Sequence, residues 1–415
     1  MNMNDRSVRA LLFAMFASSI PATLILPMMP SLGEKFGVGA AELGLLVGIY
    51  PLMSMLASPF WGRMSDRFGR KPILVITLLG GAAAFVCFAL STSWVGLLAG
   101  RAIQGLAGTP RGIGFAVASD MAGDGERSSG MGAVTASMAI GFTIGPLMGG
   151  LLMGENPDSW LGAARSWFDL PAGGFSHVIP SFFGALVNVI SAFVIMLGFR
   201  ESWTSTHRAE AKEDRATSTT SFAVAITHAS VIIAILFFLL SGFIQGSLQF
   251  AFSLWADMAR NWTAQDIAWA GAMIGLGFAI GSGAVLRPLI KRVGQEKTVL
   301  AGTLIDATGL CIFLIFNHIP AIALIGLLVS ALGGALWATT ILGLLSRDID
   351  PRDQGLALGV ANGAALFGRV LGPAFAGWLA ANMSPASPFA FILFCVVVAI
   401  VRGGTLVRQH QRVNQ

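Results

Sequence analysis

Residues 62–72 read GRMSDRFGRKP, running from Gly62 through Asp66, Arg67, Gly69, Arg70 and Lys71 to Pro72. This basic turn lies between two apolar runs, 41–61 and 73–91, each of a length that crosses a bilayer. A tight turn needs Gly69 for backbone freedom, and Pro72 suits the start of the next helix. Asp66 is a carboxylate well placed to meet a helix N-terminus, where the macrodipole favours negative charge. A turn that only set membrane orientation would account for Arg67, Arg70 and Lys71, but not for an acid at Asp66.

Composition puts the rest of the chain in lipid as well. Of 415 residues, 55% are hydrophobic and 11% charged, and the mean hydropathy is +0.74. Soluble globular proteins carry about 25% charged residues, so this chain cannot clothe itself for water. The 51 glycines fit, because small residues let membrane helices approach closely. A large buried α/β enzyme would show strand-like runs between turn clusters, whereas the apolar runs here are mostly 18–25 residues long. The stretch Ala10 to Met29 is too long for a signal-peptide core and is expected to remain as a first span. Cys87, Cys311 and Cys395 fall in apolar segments without metal-ligand spacing and read as small buried hydrophobes.

Apolar windows predict twelve spans: 8–30, 41–61, 73–91, 94–118, 130–153, 179–199, 228–253, 264–286, 298–316, 320–345, 356–380 and 387–405. A cytoplasmic N-terminus assigns 20 of the 26 Lys and Arg residues to cytoplasmic segments, counting Arg9 and Arg402 at the cytoplasmic ends of spans one and twelve. Lys35, Arg165 and Arg260 fall outside, while Arg101, Arg111 and Arg369 lie within spans. That asymmetry follows the positive-inside rule and places both termini in the cytoplasm. It also accounts for the net charge of +5 without nucleic-acid binding. The polar stretch Arg200–Ser221 divides the spans six and six and reads as a flexible cytoplasmic linker. The loop Gly154–Ser176, with Trp160, Trp167, Phe168 and Phe175, reads as an interfacial anchor or as a lid over the membrane pathway.

A weak internal duplication supports the same division. Arg67-x-Gly69 recurs as Arg292-x-Gly294, Arg127-x-x-Gly130 as Arg352-x-x-Gly355, and Gly145-Pro146 as Gly372-Pro373, at offsets of 225, 225 and 227 residues. Two repeats flanking a midplane cavity are a transporter architecture.

With these features in place, GRMSDRFGRKP resembles the signature loop of the major facilitator superfamily. The resemblance implies an all-α membrane protein with the major facilitator fold: twelve transmembrane helices in two six-helix halves, 1–199 and 228–415, joined by a cytoplasmic linker at 200–227. It further implies that Gly62, Asp66, Arg67, Gly69, Arg70 and Lys71, with Asp120 at the end of span four, form a conformational latch. In the family, Asp66 would meet the start of span eleven, around Gly355. Span four opens with Arg101-Ala-Ile-Gln104-Gly105, similar to the family's R-x-x-Q-G pattern, which implies proton coupling through Arg101 and Gln104. An intramembrane Arg costs roughly 2.5–3.5 kcal/mol on insertion scales, so it normally faces a cavity or a partner.

Span five carries Gly141-Phe-Thr-Ile-Gly145-Pro146-Leu-Met-Gly149-Gly150, which resembles the drug/proton antiporter motif and implies export. Gly141, Gly145 and Gly149 share one face and make a groove for close helix contact, with span eight (Gly275, Gly277, Gly281, Gly283) offering a matching smooth face. Span seven, with Gln245-x-x-x-Gln249 and Leu254-Trp255, looks like the tetracycline exporters, as does Asp306 in span nine. The two glutamines share a face, where they would hydrogen-bond either a polar solute or a neighbouring helix. A buried acid amid Leu304, Ile305 and Leu310 is expensive and marks function by default, with a structural salt bridge as the alternative.

Two departures matter. Span one has no acid near Ala17 and span three none near Ala84, where the tetracycline exporters carry carboxylates; this argues against tetracycline as the solute. The proton carrier is then open between Asp306 and the Asp66–Asp120 network, since burial penalises a carboxylate's charged form. The additions are basic: Arg111, after a break at Pro110, and Arg369 within span eleven. These either hold an anionic or carboxylate-bearing solute, together with Gln245, Gln249 and Trp255, or pair with Asp306 or with carbonyls freed by Pro110. No catalytic residue, cofactor or metal site is expected. His177, His207, His228, His318 and His410 are scattered, and no G-x-x-x-x-G-K-[ST] loop occurs. The expected partners are a small-molecule substrate, protons and the bilayer, with the protein acting as a monomer.

Overall fold

The structure is a computed structural model in which residues 5–107, 110–121, 127–153, 177–202, 229–348 and 354–413 are described. All regular structure among them is helical. The first half of the chain forms α1 (Arg6–Leu24), α2 (Met29–Phe36), α3 (Ala40–Phe68), α4 (Arg70–Ala89), α5 (Trp94–Leu106), α6 (Pro110–Asp120), α7 (Arg127–Met153) and α8 (Val178–Gly198). The second forms α9 (Ala229–Arg260), α10 (Ala264–Ile280), α11 (Leu286–Val293), α12 (Gln295–Phe316), α13 (Pro320–Asp348), α14 (Gln354–Asn382) and α15 (Ser387–Val413). Among the described residues, ten helices are long and apolar enough to cross a membrane. The remaining expected spans fall on the broken pair α5–α6 and on the shorter apolar helix Ser387–Ile400.

The helix interruptions have local causes. Pro27 and Pro30 remove donors after α1, so the chain passes through a 3₁₀ turn at Leu26–Met28 before α2. Span one therefore runs from Arg6 to Phe36, beyond the expected 8–30. Span eight crosses a π-type turn at Gly281–Val285 and continues to Val293. In span four, Leu106 would bond the amide of residue 110, but Pro110 has no N–H and α5 ends there. The indole of Trp61 donates to the Leu106 carbonyl instead, at 2.8 Å.

The burial pattern is inverted relative to a water-soluble bundle. On α8, Ser181, Gly184, Ala185, Asn188, Ser191 and Ala192 face inward, while Leu186, Phe193 and Leu197 point outward. Small and polar residues pack helix to helix, and the large apolar ones meet lipid. Cys87 and Cys311 lie on such outward faces, and only Cys395 is buried; in a lipid setting an exposed cysteine is no less apolar than its neighbours.

The chain divides into two compact units. Unit one comprises Met1–Val38, Ile49–Thr219 and Trp262–Trp269, and unit two comprises Gly39–Gly48, Thr220–Asn261 and Ala270–Gln415. Each unit repeats the same devices. Gly69 (φ 104°, ψ 160°) separates α3 from α4 in unit one, and Gly294 (φ 85°, ψ 166°) separates α11 from α12 in unit two. Only glycine takes this backbone without strain. In unit one α1 packs along α7, and in unit two α9 packs along α14. A Cβ on Gly141, Gly145 or Gly149 of α7 would strike the carbonyls of Phe16, Ile20 and Leu24 on α1. A Cβ on Gly368 or Gly372 of α14 would strike those of Leu239 and Phe243 on α9.

At one end of unit one, His177 is buried between α2 and α8. Its Nδ1 lies 3.4 Å from the Lys35 ammonium, and the rings of Phe36 and Phe88 meet it edge-on. Burial, and then the Lys35 charge, push the imidazole down to about 4 from its ordinary value near 6.5. The folded protein thus keeps His177 neutral where the unfolded chain binds a proton. The resulting stability is present above about pH 6.5 and drains away as the pH falls toward about 4. Thermal unfolding of the detergent-solubilised protein should show Tm falling between pH 7 and 5. The fall should be clearly smaller in His177→Gln; equal slopes would remove His177 as its source.

Candidate functional site

The turn at Gly62–Pro72 is organised by one arginine. Arg70 is 7% exposed; its Nη1 donates to Asp66 Oδ1 and to Ser65 Oγ, each at 2.7 Å, and its Nε donates to Asp120 Oδ2 at 3.1 Å. Asp66 and Asp120 thus share one guanidinium, which holds the ends of α3, α4 and α6 together. Of the partner expected for Asp66, the start of span eleven around Gly355, residues 351–353 lie outside the described residues, as do the side chains up to 359. An acid that caps a helix start here is Glu201: its Oε1 accepts from Arg70 N at 2.9 Å and its Oε2 from Lys71 N at 3.1 Å. Both amides belong to the first turn of α4, which has no internal acceptor for them. Nothing in the sequence singles out Glu201, the first residue after Arg200 in a polar run. Arg67 is exposed over the Phe68 ring at 5.3 Å, and Gly62 borders open space, so sterics require no glycine there.

In span four, Gly105 brings α5 against the backbone of α3 at Tyr50 and Ser54. One turn earlier Arg101, only 3% exposed, lies 5.0 Å from the centre of the Tyr50 ring, and its Nη1 donates to Gln104 Oε1 at 2.6 Å. Arg111 opens α6, with its guanidinium 5.1 Å from the centre of the Phe142 ring on α7. The positions of the two absent acids, Ala17 and Ala84, are 4% and 1% exposed and packed within unit one.

The glycine stripe of span five differs from expectation. Gly141, Gly145 and Gly149 face α1 rather than span eight, and Thr23 on α1 donates across that seam to the Phe142 carbonyl at 3.2 Å. Gly150 alone turns toward Ala264 and Ala268 at the start of α10. Pro146 sits within α7 beside Gly145 without ending the helix. On span eight, Gly277 and Gly281 meet Leu328 and Leu332 of α13.

In unit two, Asp306 on α12 is 2% exposed. Its Oδ1 accepts from Ser330 Oγ at 2.6 Å and its Oδ2 from Trp337 Nε1 at 3.0 Å, both on α13. Glycines at 302, 309, 326 and 333 bring the two backbones together around it. No salt bridge reaches Asp306 among the described residues, so the structural ion pair considered from sequence is not formed. Arg369 on α14 donates through Nη2 to Gln245 Oε1 at 2.7 Å, so Gln245 bonds a neighbouring helix, while Gln249 one turn on is exposed. Trp255 does not line an open surface. It is fully buried against Phe313 and Phe252, with Arg260 over its ring, because so large an apolar side chain fills the core of this unit. Among the described residues no group of His, Cys, Asp or Glu could hold a metal ion.

Comparison with known proteins places these features in a common setting. A family model described as Major Facilitator Superfamily matches residues 11–286 and 234–413. The tetracycline resistance protein, class B, of Escherichia coli is 25% identical over 356 residues, covering 84% of this chain and 82% of that protein. Multidrug resistance protein 1 of Bacillus subtilis strain 168 is 25% identical over 403 residues, covering 96% of each. Among solved structures, a D-xylose-proton symporter matches with a TM-score of 0.75 at 15% identity, covering 96% of both chains.

Proposed function

The chain belongs to the Major Facilitator Superfamily, and on that premise we propose that it exports a small organic solute across the bacterial cytoplasmic membrane in exchange for protons. It is a multi-pass membrane transporter. The names of its curated relatives, tetracycline and multidrug resistance proteins, support efflux as the direction. The single observation that carries proton coupling is the shell of Asp306. Asp66 and Asp120 both bond the Arg70 guanidinium, whereas Asp306 has only neutral partners. Ser330 can donate to the carboxylate or, with its hydroxyl turned, accept from the carboxylic acid. Trp337 only donates, and it serves the second oxygen in both states. The site therefore satisfies its hydrogen bonds with or without the proton, as a proton carrier requires.

In this reading the six-helix halves 1–199 and 228–415, joined by the cytoplasmic segment 200–227, give the solute alternating access to the two sides of the membrane. The Arg70 cluster, completed by Glu201, Gly69 and Lys71, serves as the cytoplasmic latch. Arg101 and Gln104 tune proton transfer, Arg111 in unit one and the Gln245–Arg369 pair in unit two serve solute binding, and the span-five glycines set the α1–α7 seam. Both termini are cytoplasmic, and the protein works as a monomer in the bilayer. The test is a solute panel in inverted vesicles under an imposed pH gradient. Accumulation should collapse on adding a protonophore, and accumulation that persists unchanged would overturn proton antiport.

A further inference from the structure

We propose that Arg111 and Arg101 form an organic-anion site in unit one, and that the solute carries a carboxylate. The proposal rests on the transporter reading above and names the class of its solute.

Two guanidinium groups in an apolar helix bundle need partners, and the structure removes those that the sequence offered. The carbonyl freed by Pro110 is that of Leu106, and the Trp61 indole already bonds it. The oxygens of Asp306 accept from Ser330 and Trp337. Arg111 is left with a ring face, that of Phe142, and its Nε is buried with no hydrogen-bond partner among the described residues. Arg101 is almost completely buried; among the described residues it donates to Gln104 and lies over Tyr50, and its Nε has no partner. Neither forms an ion pair among the described residues. Each guanidinium has five N–H donors in a planar fork, so most of their capacity is unspent.

The two cations also belong to one neighbourhood. Both lie on the broken span four within unit one, Arg101 over the Tyr50 ring at 5.0 Å and Arg111 over the Phe142 ring at 5.1 Å. Two like charges in one low-dielectric helix bundle repel each other, and rings and a neutral amide offset that only in part. An anion among them supplies the missing partner. A carboxylate fits the guanidinium fork with two parallel hydrogen bonds, and the Tyr50 and Phe142 rings give an aromatic body a surface to lie on. A cationic solute meets the same repulsion that the two arginines impose on each other.

The direct test is ligand protection of the purified, detergent-solubilised full chain. The probes are benzoate and 2-naphthoate, their neutral amides benzamide and 2-naphthamide, and the cation benzyltrimethylammonium. At least one carboxylate should raise Tm in a saturable way, with its amide and the cation much weaker. Arg111→Gln should weaken carboxylate binding by about tenfold or more. Arg111→Lys keeps the charge without the fork and should fall between; it also serves if the Gln variant fails to fold. Carboxylates bound no better than their amides, or bound equally by wild type and Arg111→Lys and Arg111→Gln, would overturn the proposal. Because binding needs no pH gradient, the outcome separates from the export reading. Bound carboxylates that no gradient moves would refute antiport alone, and cations driven out with no carboxylate bound would refute this site alone.

Discussion

Asp306→Asn is expected to lower pH-gradient-driven transport by roughly 100-fold, at the lower end of what a positioned proton-transferring side chain contributes. The variant should still fold. An asparagine can present Oδ1 to the Trp337 indole and turn Nδ2 toward Ser330, whose hydroxyl then accepts, so both hydrogen bonds of the native carboxylate survive. Volume hardly changes, which matters where α12 and α13 approach through glycines at 302, 309, 326 and 333. What disappears is the ability to exchange a proton. Solute exchange down its own gradient should therefore continue in the variant at a rate near that of the wild type, while protons no longer drive accumulation. Driven transport at the wild-type rate would show that the proton travels elsewhere. Ser330→Ala should fall between, because it removes the group able to reverse its hydrogen bond but leaves the acid in place.

The fold was legible because lipid imposes simple rules. A backbone in hydrocarbon must satisfy itself, so long apolar runs become helices, and basic residues at their ends fix orientation. The twelve expected spans all fall on helices, and the Gly69 and Gly294 turns share one backbone conformation, as the repeat at Arg67-x-Gly69 and Arg292-x-Gly294 anticipates. Pairing was less legible. A stripe of glycines says that some helix comes close, but not which one: the span-five stripe meets α1, and span eight meets α13. Partners of charged groups were hidden for the same reason. Asp66 and Arg70, one turn apart where α3 gives way to α4, bond each other at 2.7 Å, a pairing that the basic run does not single out. Glu201 caps the start of α4 from 131 residues away, accepting from the Arg70 amide. Trp61 is likewise remote in sequence from the carbonyl it satisfies. The burial of Trp255 was also not legible from its sequence neighbours.

Gly145→Ala is expected to destabilise the protein by about 1–3 kcal/mol, the usual result of forcing a methyl into a close-packed seam. A Cβ there would stand 2.5 Å from the Ile20 carbonyl oxygen and would also strike Thr23. Neither obstacle is the loose end of a flexible side chain, so α7 would have to shift off α1. Thr23 marks the cost of such a shift, since its hydroxyl bonds the Phe142 carbonyl across the seam. Any displacement would also carry Phe142 away from the Arg111 guanidinium, so solute binding should weaken together with stability. Gly132→Ala is the control on the same helix. Gly132 is exposed with nothing near its missing Cβ, and alanine is the better helix former by about 1 kcal/mol, so Tm should hold or rise. Gly372→Ala tests the repeat in unit two, where the added methyl would meet the Phe243 carbonyl, again at 2.5 Å. Thermal unfolding of the three variants decides the matter. If Gly145→Ala is as stable as Gly132→Ala, the seam is looser than its geometry indicates, and the span-five motif needs an explanation other than close packing on span one.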